Sequence, residues 1–205
     1  KLVGQIVIAL IMVFMANIKL TSMHGLFGLT DVPQWATIFI SLFAYIVIIN
    51  AFNLVDGIDG LAAGIGLICS IAFGTWFYLA GDMAFATLAY GLAGSLLAFL
   101  IFNFYPAQIF MGDSGSLIIG LICAILAIRM IDYDTRSIPV DFDLPASPIF
   151  ALAVLVYPLY DTLRIFVYRA IKGVSPFHAD KKHIHHRLLK IGLTQRQTVL
   201  TLYGF

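Results

Sequence analysis

Six mostly apolar stretches constrain this chain more than any other feature: roughly Leu2–Leu20, Gln34–Asn50, Leu61–Ala80, Met83–Phe102, Ser116–Met130 and Pro148–Ala170. A membrane-spanning helix needs about 20 mostly apolar residues, within a range of about 17 to 25, and these stretches are of that order. A seventh begins near Thr198. Membrane β-strands alternate apolar and polar residues over about 10 positions, whereas these runs are continuous. The expected fold is therefore all-α, a polytopic transmembrane helical bundle forming a single integral-membrane domain over residues 1–205. Charge is scarce enough to agree: 11% of the 205 residues are charged and 61% are hydrophobic, with mean hydropathy +0.97. A soluble domain carries about 25% charged residues, so a soluble fold, a disordered chain and a nucleic-acid-binding domain are excluded.

Both ends read as cut. Lys1 opens directly into apolar sequence without a Met or a signal peptide, and Phe205 closes inside an apolar run. The expectation is a piece of a longer protein, with spans missing before residue 1 and sequence missing after 205. Cys69 and Cys123 lie in apolar runs without CxxC spacing or a nearby His, and read as small buried hydrophobes.

Lys and Arg set the orientation. Taking connections alternately, one set carries Lys1, Arg169, Lys172, Lys181, Lys182, Arg187, Lys190 and Arg196, whereas the other carries Lys19 and Arg136, with Arg129 at its edge. The first set is expected to be cytoplasmic. The opposite loop 131–147 holds Asp132, Asp134, Asp141 and Asp143 and reads as a solvated external face, where His24 also lies. All 11 acidic residues are Asp, a residue suited to turns, caps and compact metal sites.

The cytoplasmic set holds three polar segments. In the first, Asn50, Asn53, Asp56 and Asp59 recur every three residues, a spacing that lines them along one face of a helix end. Gly57 and Gly60 allow a tight turn there. A helix cap would need one amide and one acid, whereas two of each without a basic neighbour point to a cation or charged substrate. In the second, Phe110-Met111-Gly112-Asp113-Ser114-Gly115-Ser116 precedes a helix. Asp113 or Ser114 there is either a cap or, with free helix N–H groups beside it, part of a phosphate and Mg²⁺ site. In the third, His178, His183, His185 and His186 mix with Lys181, Lys182 and Arg187. Zinc binding, pH response and anion binding compete for this segment; the cations repel a metal and attract phosphate, which favours an anion. Asp161 and Arg164, three apart within the last span, read as a mutual pair rather than a substrate contact. Acids for Mg²⁺ beside bases for phosphate, at a lipid boundary, are the parts of phosphoryl transfer to a lipid.

The segments Asn50-xx-Asn53-xx-Asp56-Gly57-x-Asp59-Gly60-Leu61, Pro106-Ala107-xx-Phe110-Met111-Gly112-Asp113-x-Gly115-Ser116 and Asp180-Lys181-x-His183-Ile184-His185-His186-Arg187 resemble, in order, the cytoplasmic motifs of the polyprenyl-phosphate N-acetylhexosamine-1-phosphate transferases. The His-Ile-His-His-Arg form is more similar to the branch using UDP-N-acetylglucosamine than to the phospho-N-acetylmuramoyl-pentapeptide transferases. The resemblance implies an enzyme of the bacterial plasma membrane, acting on its cytoplasmic face in the first membrane step of envelope polysaccharide synthesis, such as lipopolysaccharide or teichoic acid. It implies transfer of GlcNAc-1-phosphate from the UDP-sugar to undecaprenyl phosphate with release of UMP. It implies Mg²⁺ as cofactor, with Mn²⁺ as a substitute, and allows a homodimer. By position it makes Asp56, Asp59 and Asp113 catalytic, with Asp113 and Asp56 on the metal. Asn50, Asn53, Phe110 and Gly112 fall at the nucleotide-sugar, with Phe110 stacked on uracil, and Lys181, His183, His185, His186 and Arg187 fall at the phosphates. The family's Asp-Asp pair is absent here and is expected before residue 1. This chain alone is therefore expected to be inactive even where its parent is an enzyme. Readings of another class are a transporter or divalent-cation channel, or a scaffold subunit without catalysis.

Overall fold

The computed structural model describes residues 1–22, 32–133, 147–173 and 183–204. Among these the chain is helical: α1 (Leu2–Phe14), α2 (Gln34–Val55), α3 (Leu61–Leu79), α4 (Met83–Asn103), α5 (Gly112–Ile131), α6 (Ser147–Val154), α7 (Val156–Ile171), α8 (Ile184–Lys190) and α9 (Gln195–Tyr203). Four of them, α2 to α5, are long and apolar enough to cross a membrane, and the bent pair α6–α7 makes a fifth if taken as one span. A bundle closes all backbone hydrogen bonds within each helix, which is what lipid demands.

Among the described residues α3 is the most buried of the long helices, packed against α4 and α5 and also meeting α2, α6 and α9. Apolar surface gains little by leaving lipid for protein, so close contact between helices has to come from small residues and tight packing. Ala62, Ala63, Gly64, Gly66 and Gly74 supply it on α3, all of them buried. On α5, Gly120 lets the α2 backbone approach so closely that a Cβ there would lie 2.8 Å from Ile49 Cα.

Two expected spans are built differently. Leu2–Leu20 yields the 13-residue α1, which ends before Asn17 takes a positive φ of 54°. Pro148–Ala170 is broken at Leu155, where α6 and α7 meet at 80°. Pro158 accounts for the break, since it offers no N–H to the Val154 carbonyl and its ring collides with that carbonyl in a straight helix. The segment expected to start a seventh span is α9, a short helix opened by a capping box in which Thr194 and Gln197 bond each other's backbone N–H. Its Thr198, Val199 and Leu202 are buried.

The end away from the three motifs is also tied by polar contacts. Arg129 pairs with Asp82 at 3.3 Å and lies over the Phe85 and Tyr133 rings. Asp132, expected to be solvated, accepts the Thr21 backbone N–H at 2.8 Å. His24, Asp134, Arg136, Asp141 and Asp143 lie outside the described residues.

Tyr203 docks α9 by donating its hydroxyl to the Gly60 carbonyl at 2.6 Å, with its ring over Gly64. A Cβ on Gly64 would overlap the phenol. Gly64→Ala is therefore expected to expel the ring and destabilise the fold by about 1–3 kcal/mol, read as a lower thermal midpoint in detergent and faster proteolysis of the 183–204 segment. Unchanged melting and proteolysis would contradict this docking.

Candidate active site

α2 and α5 run antiparallel, and their tight contact at Ile49 and Gly120 sets the site one to two turns further on. Asn53 follows Ile49 by one turn and meets Ser116, one turn before Gly120, with Nδ2 donating to Ser116 Oγ at 2.9 Å. The same Nδ2 donates to Asp113 Oδ1 at 2.9 Å. Lys1 reaches in from α1, its ammonium 2.5 Å from Asn53 Oδ1 and 3.2 Å from Asp113 Oδ1. Asp113 stands in the first turn of α5, where the helix dipole favours an anion, and its side chain is 71% exposed.

Asp56 closes α2 as its C-cap. Its carboxyl is half-buried, and no hydrogen bond from a described residue reaches it. Burial pushes it up to about 6, assisted by the nearby charge of Asp113. Asp59 turns the other way, its Oδ2 accepting the Ala107 N–H at 3.1 Å. Asn103 adds a second stitch, accepting from Gly60 N at 3.1 Å and donating to the Ile109 carbonyl at 2.9 Å. Gly60 itself holds a φ of 81°, which suits glycine. These bonds fix the 104–111 loop against the Asp56–Gly60 turn. Arg196 of α9 donates to the Tyr105 carbonyl at 3.1 Å from a third side. Phe110 projects from that loop 79% exposed.

The histidines of α8 lie against the same turn. His183 and His185 are stacked at 5.6 Å with planes 7° apart, and His185 touches His186 at 4.2 Å. The His185 ring fills the space that a Gly57 side chain would need. Three motifs far apart in sequence thus meet at one end of the bundle.

The profile of glycosyl transferase family 4 matches residues 1–131. The chain belongs to that family. It is 39% identical over 220 residues to the decaprenyl-phosphate N-acetylglucosaminephosphotransferase of Mycobacterium leprae, an alignment covering 99% of this chain and 54% of the relative. The protein of the same description in Mycolicibacterium smegmatis is also 39% identical, with 53% of it covered. The undecaprenyl-phosphate alpha-N-acetylglucosaminyl 1-phosphate transferase of Escherichia coli K12 is 30% identical over 208 residues, covering 97% of this chain and 53% of the relative. The chain spans about half the length of the curated relatives it matches.

The expected site residues of this family 4 chain fall into distinct places. Asn53, Asp56, Asp113 and Gly112 gather where α2 ends and α5 begins. Asn50 is engaged elsewhere, in a reciprocal amide pair with Gln5 of α1 at 3.1 and 3.3 Å. Asp59 acts here as a loop fastener. His186 is half-buried and Arg187 exposed, while Lys181 lies outside the described residues, as do His178, Asp180 and Lys182. Sequence reasoning missed Lys1, Ser116, Asn103 and Gln5. Gln5 sits one turn after Lys1, a polar pair at helical spacing at the head of an apolar run, and that spacing was a usable signal.

The donor set fits a hard divalent cation. The Asp56 carboxyl lies within electrostatic reach of Asp113, and the two could offer oxygen ligands beside the Asn53 amide. Among the described residues no three His, Cys, Asp or Glu side chains converge on one point. Such an ion would therefore draw its remaining ligands from substrate phosphate and water, the habit of Mg²⁺.

His185 is 1% exposed, and among the described residues neither ring nitrogen finds a hydrogen-bond partner. Burial pushes it down to about 4, helped by the neighbouring His186 and His183. The unfolded chain, with an ordinary His near 6.5, takes up a proton between about pH 6.5 and 4 that the folded chain refuses. The stability contributed by His185 is thus expected to fall as pH drops through that window, by up to about 1.4 kcal/mol per unit. Asp56, raised to about 6, works in the opposite direction because the folded chain takes up its proton first. Denaturation midpoints between pH 4 and 7 check this: the wild-type midpoint should fall relative to that of His185→Leu as pH drops.

Proposed function

We propose that the full-length protein transfers GlcNAc-1-phosphate from UDP-N-acetylglucosamine to a polyprenyl phosphate, releasing UMP. The observation that carries this reading is the convergence of the neighbouring carboxylates Asp56 and Asp113 with the His/Arg helix α8 at one end of an apolar bundle. Support comes from relatives whose names specify N-acetylglucosamine phosphotransfer to decaprenyl or undecaprenyl phosphate. The Lys and Arg distribution supports a site on the cytoplasmic face of the bacterial plasma membrane, where lipid and nucleotide-sugar both have access.

In this reaction an oxygen of the lipid phosphate attacks the β-phosphorus of the UDP-sugar. The bond from that phosphorus to the bridging oxygen breaks, and UMP carries away the electron pair. Little covalent chemistry falls to the protein, which positions and neutralises. Asp113 and Asp56 would hold Mg²⁺, with Asn53 orienting Asp113 through its amide. Bound there, the ion supplies charge neutralisation to the diphosphate. Arg187 and His186, exposed and half-exposed on α8, take the phosphates with charge-assisted hydrogen bonds, and Lys181 adds a further cation. Phe110 offers a bare ring for the uracil to stack on.

The test is UMP release and lipid-linked product by the full-length protein in detergent, with undecaprenyl phosphate as acceptor. Asp113→Asn is expected to abolish turnover, and full turnover by that variant would sink the reading. Chelation by EDTA should stop the reaction and added Mg²⁺ restore it. Phe110→Ala should raise the KM for UDP-N-acetylglucosamine about 10-fold, given about 1–3 kcal/mol for base–aromatic stacking. A preference for the UDP-muramoyl-pentapeptide over UDP-N-acetylglucosamine would move the protein to the other branch.

A further inference from the structure

Asp161 is 1% exposed on α7, and three donors converge on its carboxylate. Arg164 Nη2 donates to Oδ1 at 3.1 Å and the Ile184 backbone N–H to the same oxygen at 2.9 Å. His183 Nδ1 stands 2.7 Å from Oδ2. A pair with Arg164 would be enough to neutralise an acid within an apolar helix. The other two contacts do something more: they tie α7 to the first turn of α8, 22 and 23 residues later in the chain.

The chemistry of these contacts decides where a proton sits. An ionised carboxylate only accepts hydrogen bonds, so the short contact to His183 requires Nδ1 to carry the hydrogen. Nε2, which no described residue engages, is then the ring nitrogen left for other work. It accepts in the neutral ring and donates in the cation. The arrangement propagates, because the His183 ring is stacked in parallel on His185 and His185 is seated on Gly57. One carboxylate thereby sets the tautomer of the first histidine and the seat of the whole helix beside Asp56.

We propose that Asp161 is a positioning residue for α8, the helix whose His186 and Arg187 are placed at the phosphates. It holds His183 as the Nδ1–H tautomer and pins the start of α8 to α7. This rests on the reaction proposed above. Outer partners of functional histidines typically change affinity or activity about 10–100-fold when replaced.

The test uses the full-length protein and Asp161→Asn. The asparagine oxygen still accepts from Ile184 and Arg164, so α8 stays docked, while its NH₂ faces His183 and drives the hydrogen to Nε2. The KM for UDP-N-acetylglucosamine is expected to rise about 10-fold, a change that a smaller folded fraction does not produce, and Asp161→Glu should recover part of it. In ¹⁵N-histidine spectra, with the resonance assigned by its loss in His183→Asn, wild-type His183 should show a protonated Nδ1 and Asp161→Asn a protonated Nε2. A KM within twofold of wild type in Asp161→Asn would overturn the proposal. So would a neutral Nε2–H tautomer in the wild type, which decides the matter even if the variant fails to fold. Absence of UMP release by the wild type would overturn the reaction instead, leaving the Asp161–His183 link to the spectra.

Discussion

The contact between α2 and α5 at Ile49 and Gly120 is the constraint from which the site follows. Two helices whose backbones nearly touch present the residues one turn on at hydrogen-bonding distance. In an antiparallel pair, positions advancing along one helix meet positions retreating along the other. Ile49 plus one turn is Asn53, and Gly120 minus one turn is Ser116, which meet at 2.9 Å. The next turns bring Asp56 and Asp113 within electrostatic reach. A larger residue at position 120 would separate the helices and open the carboxylates together with the amide between them.

Around that contact, the loops are held by neutral amides and backbone groups more than by ion pairs. Asn103 has both ends of its amide satisfied and is 5% exposed. Asp59 receives the Ala107 N–H, and Tyr203 caps Gly60 from α9. Such bonds are directional and leave little room for alternative arrangements once water is excluded. Asp113, Arg187 and the Phe110 ring stay on the open side, where they are exposed.

The bundle was legible in the sequence because apolar runs of about 20 residues have few other fates. The ends of the runs were less so. The span expected to end at Asn50 continues as α2 to Val55, since partner helices satisfy the Asn50 and Asn53 amides. The break at Leu155 was written in Pro158, whose missing N–H outweighs the apolar character around it. The three-residue spacing of Asn50, Asn53, Asp56 and Asp59 correctly placed helical neighbours on one face, but only within the helix. Beyond Val55 the turn sends Asp59 toward Ala107, while Gln5 claims Asn50. The pairing of Asp161 with Arg164 was visible as a local spacing; its longer-range partner His183 was not, because nothing in a sequence announces which helix end will fold back onto a buried acid.

Gly57 and His185 share one volume. The imidazole occupies space that any side chain at position 57 would fill, so the two positions are not free to change one at a time. A methyl group at 57 would force residue 185 to shrink or tilt, and tilting it would disturb the stacked ring of His183 and the adjoining ring of His186. Two motifs separated by more than half the chain are thus coupled through one contact. Their apparent independence in the sequence conceals a single packing decision.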